Sequence, residues 1–221
     1  MNKYLFAFIF MLSQFVNCFC QEFGVLKDTR DGKSYKTVKI GEQIWMAENL
    51  NVNKFQNGDI IQEAKTDKEW QLADDNKQPA WCYYNNDPAN GKKYGKLYNW
   101  YAIIDPRGLA SKDWHIASDA DFRNLTNFLG GKKVAGFKMK SANGWFNKGN
   151  GSNSSGYSGL PGSFRNCGGP FNHILKFGYW WTSTDTDYNN AWCRIIGAED
   201  FEILSFPLCK SSGMAVRCVK N

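Results

Sequence analysis

In residues 34–46 the apolar pairs Val38/Ile40 and Ile44/Met46 are each spaced two apart, on either side of Gly41-Glu42. This period of two predicts a hairpin of Tyr35 to Ile40 and Gln43 to Met46, burying Val38, Ile40, Ile44 and Met46. Three stretches carry a helical period instead. Thr66-x-x-Glu69 reads as the capping box of a short helix carrying Trp70, followed by a polar loop, Asp74 to Gln78, that ends at Pro79. Leu97, Tyr98 and Tyr101 are spaced to share a face, which predicts an amphipathic helix over Tyr94 to Ile104 stopped near Pro106. Ser118 caps the third helix with Asp121 three residues on; Phe122, Leu125, Phe128 and Leu129 form its apolar face, and Gly130-Gly131 ends it.

From Gly144 onward, Gly, Ser and Asn punctuate short alternating runs: Gly159 to Phe164, Tyr179 to Thr184, Asn190 to Ile196, Phe201 to Phe206 and Met214 to Val219. These predict a meander of strands, with Asn143 to Ser158 as a long surface loop. Two or three short helices early and a twisted antiparallel sheet late imply a single α+β domain over residues 21–221.

The first twenty residues have a different texture. Lys3 followed by the apolar run Leu5 to Leu12, too short to span a bilayer, reads as an export signal. Cys18 and Cys20 give a small-x-small pattern for cleavage before Gln21; lipid attachment at Cys18 and an uncleaved anchor are the alternatives. The expected location is secreted or at the outer cell surface, with no span in the mature chain.

Composition narrows the class. Hydrophobic residues at 43% and charged residues at 22% exclude a disordered, collagen-like or multispan membrane protein. Removing residues 1–20 leaves 26 basic and 21 acidic residues, a net charge of +5. The lysines are scattered or paired, as in Lys92-Lys93 and Lys132-Lys133, so no nucleic-acid partner is expected. Export favours disulfides, and Cys82, Cys167, Cys193, Cys209 and Cys218 are the candidates: two bridges and one free thiol, with at least one bridge in the C-terminal half. No CxxC occurs and the chain has only 2 His, so zinc is not expected.

Seven segments carry a resemblance: Tyr35 to Leu50, Trp81 to Asp87, Tyr94 to Trp100, Trp114-His115, Gly159 to Gly162, Trp180 to Thr184 and Val216 to Val219. In this order they resemble the Fibrobacter succinogenes major paralogous domain, over nearly the whole mature chain. The resemblance implies a secreted or surface protein of the kind common in Bacteroidetes and Fibrobacteres. It also implies a fold similar to C-type lectins and formylglycine-generating enzymes, and carries no defined activity. The family reads Cys-Pro-x-Gly-Trp-His where this chain has Ala110-Ser-Lys-Asp-Trp-His115, so the cysteine that would pair with Cys218 is absent.

Candidate chemistry is sparse. His115 and His173 lack a legible partner for general-base work. Glu48, Asp87, Asp185 and Glu202 are too dispersed in sequence to be assigned as a glycosidase pair, and Asn85-Asn86-Asp87-Pro88 reads as turn chemistry. Asp185-x-Asp187-x-Asn189 spaces three oxygen side chains as part of a calcium site, without the remainder of a calcium loop. No other cofactor is expected. Trp180 and Trp181 point to opposite faces of a strand. A two-layered arrangement would bury both; an exposed Trp180 with Tyr179, Tyr188 and Asn189 would make a sugar-stacking platform. Val216-Arg-Cys-Val219 also resembles the ending of formylglycine-generating enzymes, in which Cys218 would need a second cysteine, Cys209 or Cys193, to hold copper. The expectation is a non-catalytic exported module binding extracellular polysaccharide or a surface protein; the alternatives are a cysteine/copper oxidase and a purely structural surface protein.

Overall fold

The computed structural model describes residues 21–221; the expected export signal and Cys18 lie outside the described residues. In chain order the elements begin with β1 (Phe23–Lys27), β2 (Ser34–Ile40), β3 (Gln43–Met46) and β4 (Gln62–Glu63). There follow α1 (Asp67–Asp75), β5 (Ala80–Cys82), α2 (Pro88–Tyr94), β6 (Leu97–Tyr98), α3 (Trp100–Ile103), β7 (Trp114–Ile116), α4 (Asp119–Phe128) and α5 (Lys132–Met139). The C-terminal part supplies β8 (Phe164–Arg165), β9 (Phe171–Asn172), β10 (Phe177–Asp185), β11 (Asn190–Gly197), β12 (Ile203–Cys209) and β13 (Cys218–Lys220).

The architecture is α+β and mostly β. β2 and β3 form the expected hairpin, turning at Gly41 with φ +61°. β13 returns from the far end of the chain to lie between β3 and β7, giving the order β1-β2-β3-β13-β7. β10-β11-β12 is a second antiparallel meander, and β8-β9 is a short hairpin. In β4-β5-β6, β4 pairs with β5 in parallel.

Three apolar cores explain the aromatic content. Adjacent side chains in several strands enter different cores: Trp45 against Met46, Trp180 against Trp181, Val219 against Cys218. Sheets covered on both faces bury both sides of a strand. Eight of the 9 tryptophans are buried. Their indole N–H groups pin distant segments: Trp181 to Tyr98 O at 2.9 Å, Trp100 to Thr182 O at 3.0 Å and Trp70 to Ser211 O at 2.8 Å. Buried tryptophan needs such an acceptor, and here it is mostly backbone.

Both predicted capping boxes are present, Thr66 with Glu69 on α1 and Ser118 with Asp121 on α4. Several expectations are corrected. Tyr94 to Ile104 is not one helix: α2 ends at Tyr94, β6 intervenes, and α3 restarts from the Asn99 cap. Gly95 at φ +79° makes that break, approaching the backbone of Asn49 and Leu50 more closely than most side chains tolerate. Phe128 is exposed although its spacing matches the buried Phe122 and Leu125, and Ile44 is half-buried. There are five α-helices among the described residues rather than two or three, and α5 follows Gly130-Gly131 directly. The run Gly159 to Phe164 is mostly irregular, with only its last residue in a strand.

Candidate functional site

The β10–β11 turn carries two of the sequence candidates outward. Tyr188 is 83% exposed and Asn189 is also exposed. The turn is rigid for local reasons. Asp187 Oδ1 accepts the backbone N–H of Asn189 at 2.8 Å and of Asn190 at 2.9 Å, and the Asn190 side chain, followed by these backbone bonds, holds its carboxyl below the ordinary aspartate range. Lys210, just past β12, is buried over the Trp100 ring. Its ammonium donates to the carbonyls of Asp187 at 2.7 Å and Tyr188 at 3.2 Å, and lies 3.8 Å from Asp185 Oδ2.

Of the three expected calcium-binding side chains, Asp185 lies beside the Lys210 ammonium and Asp187 accepts the N–H groups that close the turn. No group of three or more His, Cys, Asp or Glu able to hold a metal occurs among the described residues.

Tyr188 and Asn189 border two adjoining lobes of a groove whose walls both include Lys77 and Tyr101. One lobe, about 380 Å³, is walled by Pro79, Trp100, Ile104, Pro106 and Tyr188. The other, about 420 Å³, is lined by Gln71, Asp74, Asn189, Ser211 and two cysteines, Cys167 and Cys209. Tyr101 stands between them. Its hydroxyl donates to Asp74 Oδ1 at 2.8 Å, and Lys77 donates to the same oxygen at 3.2 Å with its ammonium 5.4 Å from the Tyr101 ring centre. Hydrogen bonding to Tyr101 and Asp74 pushes Lys77 up to about 12, and burial raises the Tyr101 phenol. Lys77 therefore keeps its ammonium and Tyr101 its phenol proton near neutral pH, and both can hydrogen-bond to a ligand's hydroxyl groups.

The other candidates are placed elsewhere. Trp180 is fully buried and donates to Asn49 Oδ1 at 2.9 Å, so it presents no stacking face; the sheet has a core on each side. Tyr179 is buried against Phe164, ring centres 4.4 Å apart, and burial pushes its phenol up to about 12. The expected platform thus divides, two residues in the core and two at the groove. Tyr101 and Asp74 were not singled out as site residues. Spacing places Tyr101 on the buried face of one long helix, whereas that helix is broken at Gly95 and α3 restarts from the Asn99 cap.

His115 does meet a carboxylate, Asp121 Oδ2 at 3.1 Å, but that oxygen also accepts from Ser118 N at 2.8 Å and Ser118 Oγ at 2.6 Å. The carboxylate lies between serine and histidine, the reverse of a nucleophile-activating order. His173 sits in a turn at φ +63° with its ring against Phe177.

All five described cysteines are free thiols, so neither expected bridge is formed in this structure. Cys82 is packed with Trp70 and Leu97, while Cys193 and Cys218 are in a different core. Burial pushes each of these three thiols up to about 12. Arg30 and Asp28 lie within electrostatic reach of Cys218, and Cys209 and Cys167 line the same lobe.

A separate cleft of about 470 Å³ is lined by Lys33, Lys36, Lys92 and Lys93 with a single acid, Glu48. It shares no residue with the tyrosine groove. No described helix is long and apolar enough to cross a membrane.

A family model described as the Fibrobacter succinogenes major domain matches residues 38–220. No curated protein and no solved structure matches the chain.

Proposed function

The chain belongs to the Fibrobacter succinogenes major domain family, and from that membership we propose that it is an exported, non-catalytic module of the outer surface or extracellular space that binds polysaccharide through the Tyr101–Tyr188 groove. We read its α+β framework as C-type-lectin-like. The export pattern of residues 1–20 supports the location.

The observation that carries the reading is the setting of Tyr188: a phenol ring 83% exposed, on a turn clamped by Lys210, beside fixed donors and acceptors on Tyr101, Lys77 and Asp74. An exposed aromatic ring on a mobile loop would lose much of its binding energy on ordering. On this turn the ordering cost is already met in folding. Sugar rings present C–H faces to aromatic rings and hydroxyls to amides, ammonium and carboxylate groups, which is the mixture the two lobes contain.

The test is a glycan array probed with the purified protein, with and without chelator. Binding to polysaccharide should be insensitive to chelator, because Asp185 lies beside the Lys210 ammonium and Asp187 closes the turn. Tyr188→Ala should weaken binding about ten-fold, the loss of about 1.4 kcal/mol, at unchanged unfolding midpoint. Silence on every glycan, or full binding by the variant, would remove this function from the groove.

A further inference from the structure

We propose that Cys167 and Cys209 are a thiol pair that closes into a disulfide along the tyrosine groove. Backbone pairing brings them together. Arg165 in β8 exchanges both backbone hydrogen bonds with Gly213, at 2.9 and 2.8 Å, and the turn after β12 is closed by Ser212 N donating to Cys209 O at 2.8 Å. Cys167, on the β8–β9 loop, is thereby carried to the lobe that Cys209 also lines, and the Cys209 thiol is raised by burial with Cys167 as its neighbouring thiol. Both are partly exposed and line the same lobe. The other three described thiols are fully buried in the cores, so access selects this pair.

The co-reactant is a disulfide, small or carried on an oxidoreductase. One cysteine thiolate attacks a sulfur of the donor, breaking the donor S–S bond and releasing one thiolate. The second cysteine thiolate attacks the protein sulfur of that mixed disulfide, forms the Cys167–Cys209 bond and releases the other. The pair gives up two electrons to the donor, and the two protons end on the two released thiols. Closure ties the β8–β9 loop to the end of β12, enclosing β9 to β12 in one covalent loop. It acts mainly by restricting the unfolded chain.

The test is incubation with excess oxidised glutathione followed by differential alkylation and peptide mapping. The expected product is a single cross-link joining the Cys167 and Cys209 peptides, with Cys82, Cys193 and Cys218 alkylated only after denaturation. The melting temperature should rise by roughly 5 °C over the dithiothreitol-reduced protein. In Cys167→Ser and Cys209→Ser the rise should vanish and the remaining thiol should carry glutathione, while the reduced variants melt like the reduced parent. The proposal is overturned if both thiols stay reduced, if both end as separate glutathione adducts, or if the cross-link engages a buried cysteine.

Discussion

Arg217 donates from Nε to the side-chain oxygen of Asn49 at 2.6 Å, and that same oxygen accepts the Trp180 indole N–H at 2.9 Å. Three segments distant in sequence, the loop after β3, β10 and the stretch before β13, therefore meet on one atom. Arg217 is fully buried, and among the described residues no carboxylate forms a salt bridge with it. Its remaining N–H groups go to the carbonyls of Met46 at 2.8 Å, Tyr157 at 2.7 Å and Ser158 at 3.2 Å, and the Tyr157 ring centre lies 4.3 Å from the guanidinium. Burial lowers the pKa of this arginine, and oxygen dipoles and a ring face hold its charge. These residues lie in segments that carry the family resemblance, and their work here is to join the two ends of the chain.

Asn49→Ala should accordingly destabilise the protein by about 3–5 kcal/mol, because it strands a buried cation and a buried indole donor together. Urea unfolding followed by tryptophan fluorescence measures this. Arg217→Lys should be no better than Arg217→Met, since one ammonium cannot reach acceptors spread around a planar fork. A loss under about 1 kcal/mol for Asn49→Ala would mean the node carries little of the fold.

Lys210 poses the same question at the groove. If its ammonium is the resident cation of the β10–β11 turn, calcium and chelator should both leave the melting temperature of the parent protein unchanged. Lys210→Met should cost about 2–3 kcal/mol by unpairing the carbonyls of Asp187 and Tyr188. It should also speed amide exchange at Asn189 and Asn190, whose N–H groups close the turn onto Asp187. Exchange at parental rates would show that Asp187 alone holds the turn.

What the sequence made legible follows the range of the interactions involved. The β2–β3 hairpin and the two capping boxes depend on neighbours within a few residues, and they formed as the spacing predicts. The division of Trp180 from Trp181 was legible as opposite faces, but not that both faces are covered, because the covering residues come from several distant segments of the chain. Lys210 gave no signal, since its partners lie more than twenty residues away. Tyr101 was misplaced because a glycine at φ +79° interrupts the helical period that its spacing mimics.

A pH dependence follows from Lys96, whose ammonium is almost wholly buried 4.1 Å from the Trp81 ring centre and donates to Asn51 Oδ1 at 3.0 Å and the Tyr83 hydroxyl at 3.1 Å. Burial, with Lys33 nearby, lowers its pKa to about 8. Below pH 8 both folded and unfolded chains hold the proton, and folding bears the full cost of burying the charge. Between pH 8 and an unfolded lysine value of about 10.4 the unfolded chain binds more protons, so the Lys96 contribution to stability rises with pH. The rise amounts to roughly 3 kcal/mol across that window. Lys96→Met should remove it, so the stability difference between parent and variant, measured from pH 7 to 10.5, should move toward the parent. A difference flat in pH would mean that Lys96 keeps an ordinary pKa.

Asp113 occupies the place where the family pattern has glycine, and its φ is +66°. The backbone there is fixed from both sides: Trp114 N donates to Ser111 O and Asn221 N donates to Asp113 O, each at 3.0 Å. A left-handed conformation costs an L-residue about 1 kcal/mol, less for aspartate than for most others. Glycine relieves that strain but loses more entropy on folding, so the two effects partly cancel. Asp113→Gly should therefore be neutral to about 0.5 kcal/mol stabilising, while Asp113→Ala, with the strain and without the polar side chain that eases it, should lose about 1 kcal/mol. Urea midpoints at constant m-value separate these outcomes. Equal midpoints for the glycine and alanine variants would show that the turn relaxes out of the left-handed region, and that the glycine of the family pattern is not required by the backbone at this position.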